Sequence, residues 1–275
     1  MIMKQFDMTR FGRVLKLDFF EGRKAMMWGA LCMLLLYLFF FWFAHNIGVH
    51  SSRYDFVNDS AQALQLRMNA ICEGVAVFSA IALFIFFLIT ASTLYRGEQK
   101  KQQRIAWLML PATNLEKFTS RWIYMLAFSI VGGLLPFFVA DGIHMGYLGM
   151  TGNPVVAATS FLPQILPHVG QHTPLIQIVD LYLVYVTIHS LYLLGGVFFK
   201  KFHFIATTAV FAVAMACFAS VANSLGYHDT PTPPDYIMDN VISIGFSVCL
   251  IALFTWLAYW LFCRWQVVTH KFANV

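Results

Sequence analysis

Six apolar stretches, each about 20 residues long, constrain the fold of this chain more than any other feature. A bilayer-spanning α-helix needs about 20 consecutive apolar residues, because the hydrocarbon core is roughly 30 Å thick. Charged residues make up 11% of the 275 residues and hydrophobic residues 59%, whereas soluble domains carry about 25% charged residues. We therefore expect an all-α, polytopic membrane protein with six transmembrane helices. These lie at 25–44, 70–94, 122–140, 175–199, 202–225 and 237–263.

The basic residues are distributed unevenly between the two ends of these stretches. Lys and Arg in short loops collect on the cytoplasmic side of a membrane. If both termini are cytoplasmic, the inner segments hold 16 of the 18 Lys and Arg, and only Arg53 and Arg67 lie outside. The charge pattern therefore predicts an N-in/C-in topology, and the pI near 9.0 reflects that topology rather than nucleic-acid binding. The inner segments are 1–24, 96–121, 200–201 and 264–275.

Residues 1–24 combine a basic face with an apolar face at roughly helical spacing. Such a helix lies in the headgroup plane of a membrane. We expect an N-terminal amphipathic interfacial helix, the alternative being a frayed terminus, and a single six-helix transmembrane domain over 25–275. Residues 141–174 are expected to form a long outer loop, because Gly and Pro are frequent there.

Residues 96–121 form the longest charged segment between two apolar stretches. Thr113 and Glu116 match the S/T-x-x-E capping box, in which each residue satisfies a free amide of the other at a helix start. Pro111 discourages a helix from running through this point. We therefore predict a short helix over 100–110, in which Trp107 is an apolar anchor, a break at Pro111, and a new helix that enters the third span. The alternative is a membrane-surface helix without a partner.

Ionisable residues inside spans suggest functional positions in a membrane protein. Glu73, Asp180 and His189 are candidates for a substrate path, or alternatively for interface anchoring or interhelical hydrogen bonds. His168 and His172 are four residues apart, but the surrounding Gly and Pro argue against a helix there, and we predict no metal site. Two Gly pairs, at 132–133 and 195–196, mark places where a helix kinks or packs closely.

The chain lacks the motifs of soluble enzymes. No GxxxxGK[ST] phosphate loop, GxSxG elbow or HExxH motif occurs, and these motifs supply phosphate binding, a nucleophile and zinc ligands respectively. We therefore expect no catalytic residues and no ATP hydrolysis by a P-loop in this chain.

Three segments resemble one family. The run LMLPATNLEKFTSRW at 108–122 resembles the first cytoplasmic loop of bacterial type-2 ABC-transporter permeases. It is most similar to a Bacteroidetes-like group in which the pattern LPAS-x-x-EKF-x-x-R recurs. The N-terminal RFGRVLKLD and the C-terminal AYWLFCRWQV resemble the same group. The chain departs from this family in one respect, because its outer loop between the fifth and sixth spans is short.

The resemblance implies a permease subunit of an ABC exporter in the bacterial inner membrane. It implies a homo- or heterodimer that pairs with a separate ATPase subunit, which binds ATP and Mg, and a lipid-like or peptide-like substrate. In such permeases the N-terminal elbow helix and a coupling helix rest on the ATPase. The coupling segment of this chain would be 99–117, and the matching positions are Trp107, Pro111, Thr113, Glu116 and Lys117.

Two other functions are compatible with the same residues. An ion- or proton-coupled secondary transporter would use Glu73, Asp180 and His189, although no internal repeat supports that architecture. A non-transporting membrane scaffold or sensor would use the 96–121 segment as a docking site for some other soluble protein.

Overall fold

The structure is a computed structural model that describes residues 6–50, 61–93, 101–161, 175–199, 202–224 and 236–264. Within these ranges the secondary structure is helical and contains no β-strand, as the sequence predicts. A π-helical turn at Ile130–Leu134 joins α4 to α5, and a 3₁₀ turn lies at Ala158–Phe161. The α-helices are α1 (Met8–His50), α2 (Ala61–Thr93), α3 (Lys101–Leu108), α4 (Asn114–Ser129), α5 (Leu135–Met150), α6 (Leu175–Phe198), α7 (His203–Ser224) and α8 (Tyr236–Cys263).

Helix α1 contains both the amphipathic N-terminal segment and the first apolar stretch. Its 43 residues correspond to a length of about 65 Å at about 1.5 Å per residue, roughly twice the thickness of a hydrocarbon core. Asp7 caps the helix, because its Oδ1 accepts a hydrogen bond of 2.8 Å from the Thr9 amide. The same bond holds the pKa of the Asp7 carboxyl below its usual value. The basic segment and the apolar stretch therefore form one unbroken helix.

Four stretches of the described residues are long and apolar enough to cross a membrane. Two further apolar helices, Tyr182–Phe198 and His203–Cys217, are shorter than a full span within the residues that the structure describes. By length and composition the chain is thus a helical membrane-embedded protein. The four long stretches are Met8–Ile47, Gln62–Thr93, Asn114–Met150 and Ile242–Cys263.

The predicted end of the third span at residue 140 is wrong. Helix α5 continues to Met150, ten residues into the expected loop at 141–174. Asp141, whose charge marks the end of the apolar stretch in the sequence, is 1% exposed. Its carboxylate accepts hydrogen bonds from the amides of Ala158 (2.9 Å) and Thr159 (3.0 Å). The buried carboxylate therefore fixes the returning chain and does not end the helix.

The chain divides into two compact units. The terminal unit comprises the described residues within Met1–Asp18, Leu88–Met125 and Thr173–Val275, and the central unit those within Phe19–Phe87 and Leu126–His172. Because these ranges divide α1, α2 and α4, each of these helices contributes to both units.

Each unit has its own close packing. In the terminal unit α6 packs against α7 and α8, and a Cβ on Gly196 would lie 2.5 Å from the Ser92 carbonyl oxygen. In the central unit, a Cβ on Gly133 would lie 2.6 Å from Leu83. Both glycine pairs thus mark close helix packing, as the sequence predicts. The core of the central unit is a cluster that includes Tyr37, Met68, Cys72, Phe137 and Leu148.

Candidate functional site

The start of α4 is held by the capping box that the sequence predicts. The Thr113 amide donates to Glu116 Oε2 at 2.8 Å, and the Glu116 amide donates to Thr113 Oγ1 at 3.2 Å. The preceding short helix α3 ends at Leu108, and Pro111 lies in the turn between α3 and α4. The predicted order of short helix, proline break and new helix is therefore confirmed.

The Glu116 carboxylate also binds the start of α1. Its Oε1 atom accepts hydrogen bonds from the Asp7 amide at 2.7 Å and from Arg10 Nη2 at 3.1 Å. Since Asp7 is the cap of α1, one carboxylate joins the N-termini of two helices. Both termini carry the positive end of a helix dipole, which a buried anion stabilises. Glu116 is fully buried, so these donors replace its hydration.

A second acidic residue also joins α1 to α4, but here the carboxylate belongs to α1 and its partners belong to α4. Asp18, on α1, is fully buried. It accepts a hydrogen bond from Ser120 Oγ and forms an ion pair with Arg121 Nε at 3.2 Å. Arg10 and Asp18, whose side chains reach α4, are eight residues apart, which places them about 80° apart around a helix. One face of α1 therefore provides both contacts to α4.

Trp107 connects α3 to the same cluster. Its ring is buried and meets the Phe262 ring of α8 edge-on, at 5.2 Å between centroids. Lys117 Nζ lies 5.6 Å and Arg121 Cζ 5.7 Å from the centre of the Trp107 ring, within the range of cation–π attraction. We call this group the α1–α3–α4 anchor. It consists of Asp7, Arg10, Asp18, Trp107, Glu116, Lys117, Ser120 and Arg121.

Burial separates the predicted coupling residues into two classes. Trp107, Glu116 and Lys117 are buried, with exposed fractions of 5%, 0% and 2%. Thr113 is half-buried and Pro111 is exposed. In this conformation the buried side chains can position a docking surface but cannot themselves form it. Among the side chains that the structure describes beside the turn, the large exposed apolar ones are Met109, at 78%, and Leu115, at 46%.

The three candidates for a substrate path lie in different surroundings. Glu73 is exposed on the part of α2 that belongs to the central unit. Asp180 is half-buried and His189 is 4% exposed, both on α6 in the terminal unit. Asp180 and His189 are nine residues apart, which at about 100° per residue places them on opposite faces. They therefore do not form one proton relay along α6.

No metal centre is evident in the part of the chain that the structure describes. There, no three His, Cys, Asp or Glu side chains are grouped so that they could hold a metal ion. His168 and His172, whose spacing raised the possibility of a metal site, lie outside the described residues.

The sequence did not predict those contacts of the anchor that join residues far apart in the chain. Asp7, Arg10 and Asp18 appear in the sequence as ordinary residues of an amphipathic helix, and Ser120 and Arg121 as the end of a charged segment. The one available signal was Asp18, an acidic residue at the boundary of a basic helix and an apolar span. A carboxylate at such a position requires a partner when it is buried.

The chain was compared with protein-family models, with curated proteins and with solved structures, and none of these comparisons found a match.

Proposed function

We propose that this chain is the permease subunit of an ABC exporter, and that a separate ATPase subunit docks on the 99–117 segment. The observation that carries the proposal is the α3–Pro111–α4 arrangement. A short helix and a capped helix start lie between two membrane-length apolar stretches. The resemblance of residues 108–122 to the coupling loop of type-2 permeases supports the same assignment.

The α1–α3–α4 anchor gives the proposed coupling a mechanical basis. When the two ATPase subunits close, they displace α3 and the turn at Pro111. Trp107 passes this displacement to α8 through Phe262 and to α4 through Lys117 and Arg121. Glu116 passes it to the start of α1. A rigid cluster of this kind moves as one body, which is the requirement for hinge or shear motion between packed helices.

The remaining parts of the proposal come from the sequence. The chain crosses the bacterial inner membrane six times with both termini in the cytoplasm, and it forms a homo- or heterodimer. ATP and Mg are bound by the partner ATPase, since no phosphate-loop motif occurs in this sequence. The exported substrate is lipid-like or peptide-like, and Glu73, Asp180 and His189 are the candidates for its path.

Co-purification tests the proposal. The tagged full-length chain is expressed in a bacterium that contains its neighbouring genes, extracted in mild detergent and affinity-purified. We expect an ATPase with a GxxxxGK[ST] motif to co-purify in stoichiometric amount, and the complex to hydrolyse ATP. A second six-span permease in the same complex would indicate a heterodimer. Failure to recover any ATPase would contradict the proposal.

The alternative functions predict different outcomes of the same preparation. A gradient-coupled transporter would move its substrate in ATP-free liposomes and would lose transport when Glu73→Gln or Asp180→Asn is introduced. A scaffold or sensor would retain a soluble partner that lacks nucleotide-binding motifs.

A further inference from the structure

The central unit contains a cavity that no part of the proposed export mechanism uses. Its volume is about 330 Å³, within the general range of small-molecule sites. It lies between the last turns of α1 and the second half of α5. The lining side chains are mostly aromatic or aliphatic, and they include Phe41, Trp42, His45, Ile143, His144 and Tyr147.

Three polar side chains, His45, Asn46 and His144, also line this mostly apolar cavity, and His144 is the most buried of them. Its side chain is 5% exposed and stacks on the Phe41 ring, with 4.4 Å between ring centroids. Neither His144 Nδ1 nor Nε2 has a hydrogen-bond partner among the described residues. A buried polar group without a partner destabilises the fold. Both nitrogens are closed off from the cavity in this conformation, so a ligand that turns the imidazole toward the cavity and hydrogen-bonds to it would remove that destabilisation.

The surrounding groups limit the chemistry of the ligand. The nearest acidic residue on the same helix, Asp141, already accepts two backbone amides. No Asp, Glu, Lys or Arg lines the cavity, so a charged ligand would find no counter-ion. A neutral imidazole offers one donor and one acceptor, and a hydroxyl group can pair with either.

The cavity is placed where a membrane-dissolved molecule could enter. Trp42 is 62% exposed, Ile143 52% and Tyr147 48%, and these side chains flank the cavity. Trp and Tyr near the end of a span are typical of the membrane–water interface. An amphiphile in the bilayer holds its hydroxyl group at that depth and its apolar body in the hydrocarbon.

We propose that the α1–α5 cavity binds an apolar, membrane-partitioning alcohol, whose hydroxyl group hydrogen-bonds to the His144 imidazole while its body contacts Phe41, Trp42 and Ile143. The site lies within one unit of the chain and needs no ATPase, so it stands whether or not the proposed export function holds.

Photolabelling of the full chain in lipid nanodiscs tests this site. Two probes of equal length are used, a diazirine-bearing hexadecanol and a diazirine-bearing hexadecane, and labelled peptides are located by mass spectrometry. We expect the alcohol to label residues 38–46 and 143–147 about five- to tenfold more than the alkane, as one hydrogen bond of about 1–1.4 kcal/mol implies. Unlabelled hexadecanol should abolish this preference and hexadecane should not. Equal labelling by the two probes would overturn the proposal.

Variants separate the imidazole from the cavity itself. His144→Phe keeps an aromatic ring and removes both nitrogens, so the alcohol-to-alkane ratio should fall to about one. Leu38→Trp fills the cavity and should lower labelling by both probes. Phe138→Leu changes an exposed residue of the same helix and should leave the ratio unchanged. If the ratio survives in His144→Phe, the imidazole is not the recognition element. The competition arm needs no variant, so it remains decisive even if His144→Phe does not fold.

Discussion

Replacement of Glu116 is the most demanding test of the α1–α3–α4 anchor. The Glu116→Ala variant removes the acceptor of three donors at once, namely the amides of Asp7 and Thr113 and the guanidinium of Arg10. Because these donors belong to two different helix starts, the loss should loosen the first turns of both α1 and α4. A residue that merely capped α4 would affect α4 alone.

The expected size of the effect follows from these contacts. Removal of one partner of a fully buried ion pair costs about 3–5 kcal/mol. Arg10 is 26% exposed and the Thr113 amide is half-buried, so water replaces part of the lost contacts and the expected cost is about 2–3 kcal/mol. For a chain of this size 1 kcal/mol shifts the melting temperature by roughly 2–4 °C, so we expect a loss on the order of 10 °C. Glu116→Gln keeps one acceptor oxygen and should lose about half as much. Glu21→Ala, an exposed glutamate on α1, is the matched control and should cost less than about 1 kcal/mol.

Thermal unfolding in detergent measures the global loss, and hydrogen exchange with mass spectrometry measures its location. In Glu116→Ala the amides of residues 8–16 and 113–118 should exchange about 100-fold faster, corresponding to about 3 kcal/mol of lost local stability. Exchange in α8 should change little. If Glu116→Ala melts like Glu21→Ala and exchange in residues 8–16 is unchanged, the carboxylate does not join the two helices.

Three further perturbations test separate parts of the structure. Gly196→Ala places a methyl group against a backbone carbonyl of α2 and should destabilise the protein by about 1–3 kcal/mol. Gly245→Ala, with open space around it, should be neutral or slightly stabilising in the same melting assay, because Ala favours a helix over Gly. Asp18→Asn leaves its arginine partner without an anion and should cost roughly 3 kcal/mol, against a near-neutral Glu21→Gln. The pKa of the Asp7 carboxyl is lowered in the folded state. The ionised carboxylate therefore stabilises the fold at a pH above the unfolded-state pKa. This stabilisation is lost as the pH falls through the folded-state pKa. The melting-temperature difference between wild type and Asp7→Asn should therefore shrink below about pH 4.

Local patterns in the sequence predicted much of the helical architecture. Apolar stretches of about 20 residues located the helices, because the hydrophobic period and length are properties of a single segment. The capping box at Thr113 and Glu116 was predictable for the same reason, since all of its contacts lie within four residues.

Properties that depend on distant partners could not be predicted from single segments. Asp141 looked like the end of a span, because the sequence does not show that its charge is buried against the returning chain. The burial of Trp107 and Glu116 likewise depends on α8 and on the start of α1. Sequence spacing therefore located the 99–117 segment, but it could not distinguish a side chain that holds the segment from one that faces a partner.

Site-specific photocrosslinking tests the proposed function most directly. Benzoylphenylalanine replaces Met109, which is 78% exposed beside the Pro111 turn, or Met150, which is 91% exposed at the end of α5, in cells that express the neighbouring genes. The proposal predicts that the Met109 variant crosslinks to an ATPase whose tryptic peptides include the GxxxxGK[ST] motif, and that the Met150 variant does not. If neither position captures an ATPase, or if both capture it equally, the 99–117 segment is not the coupling site.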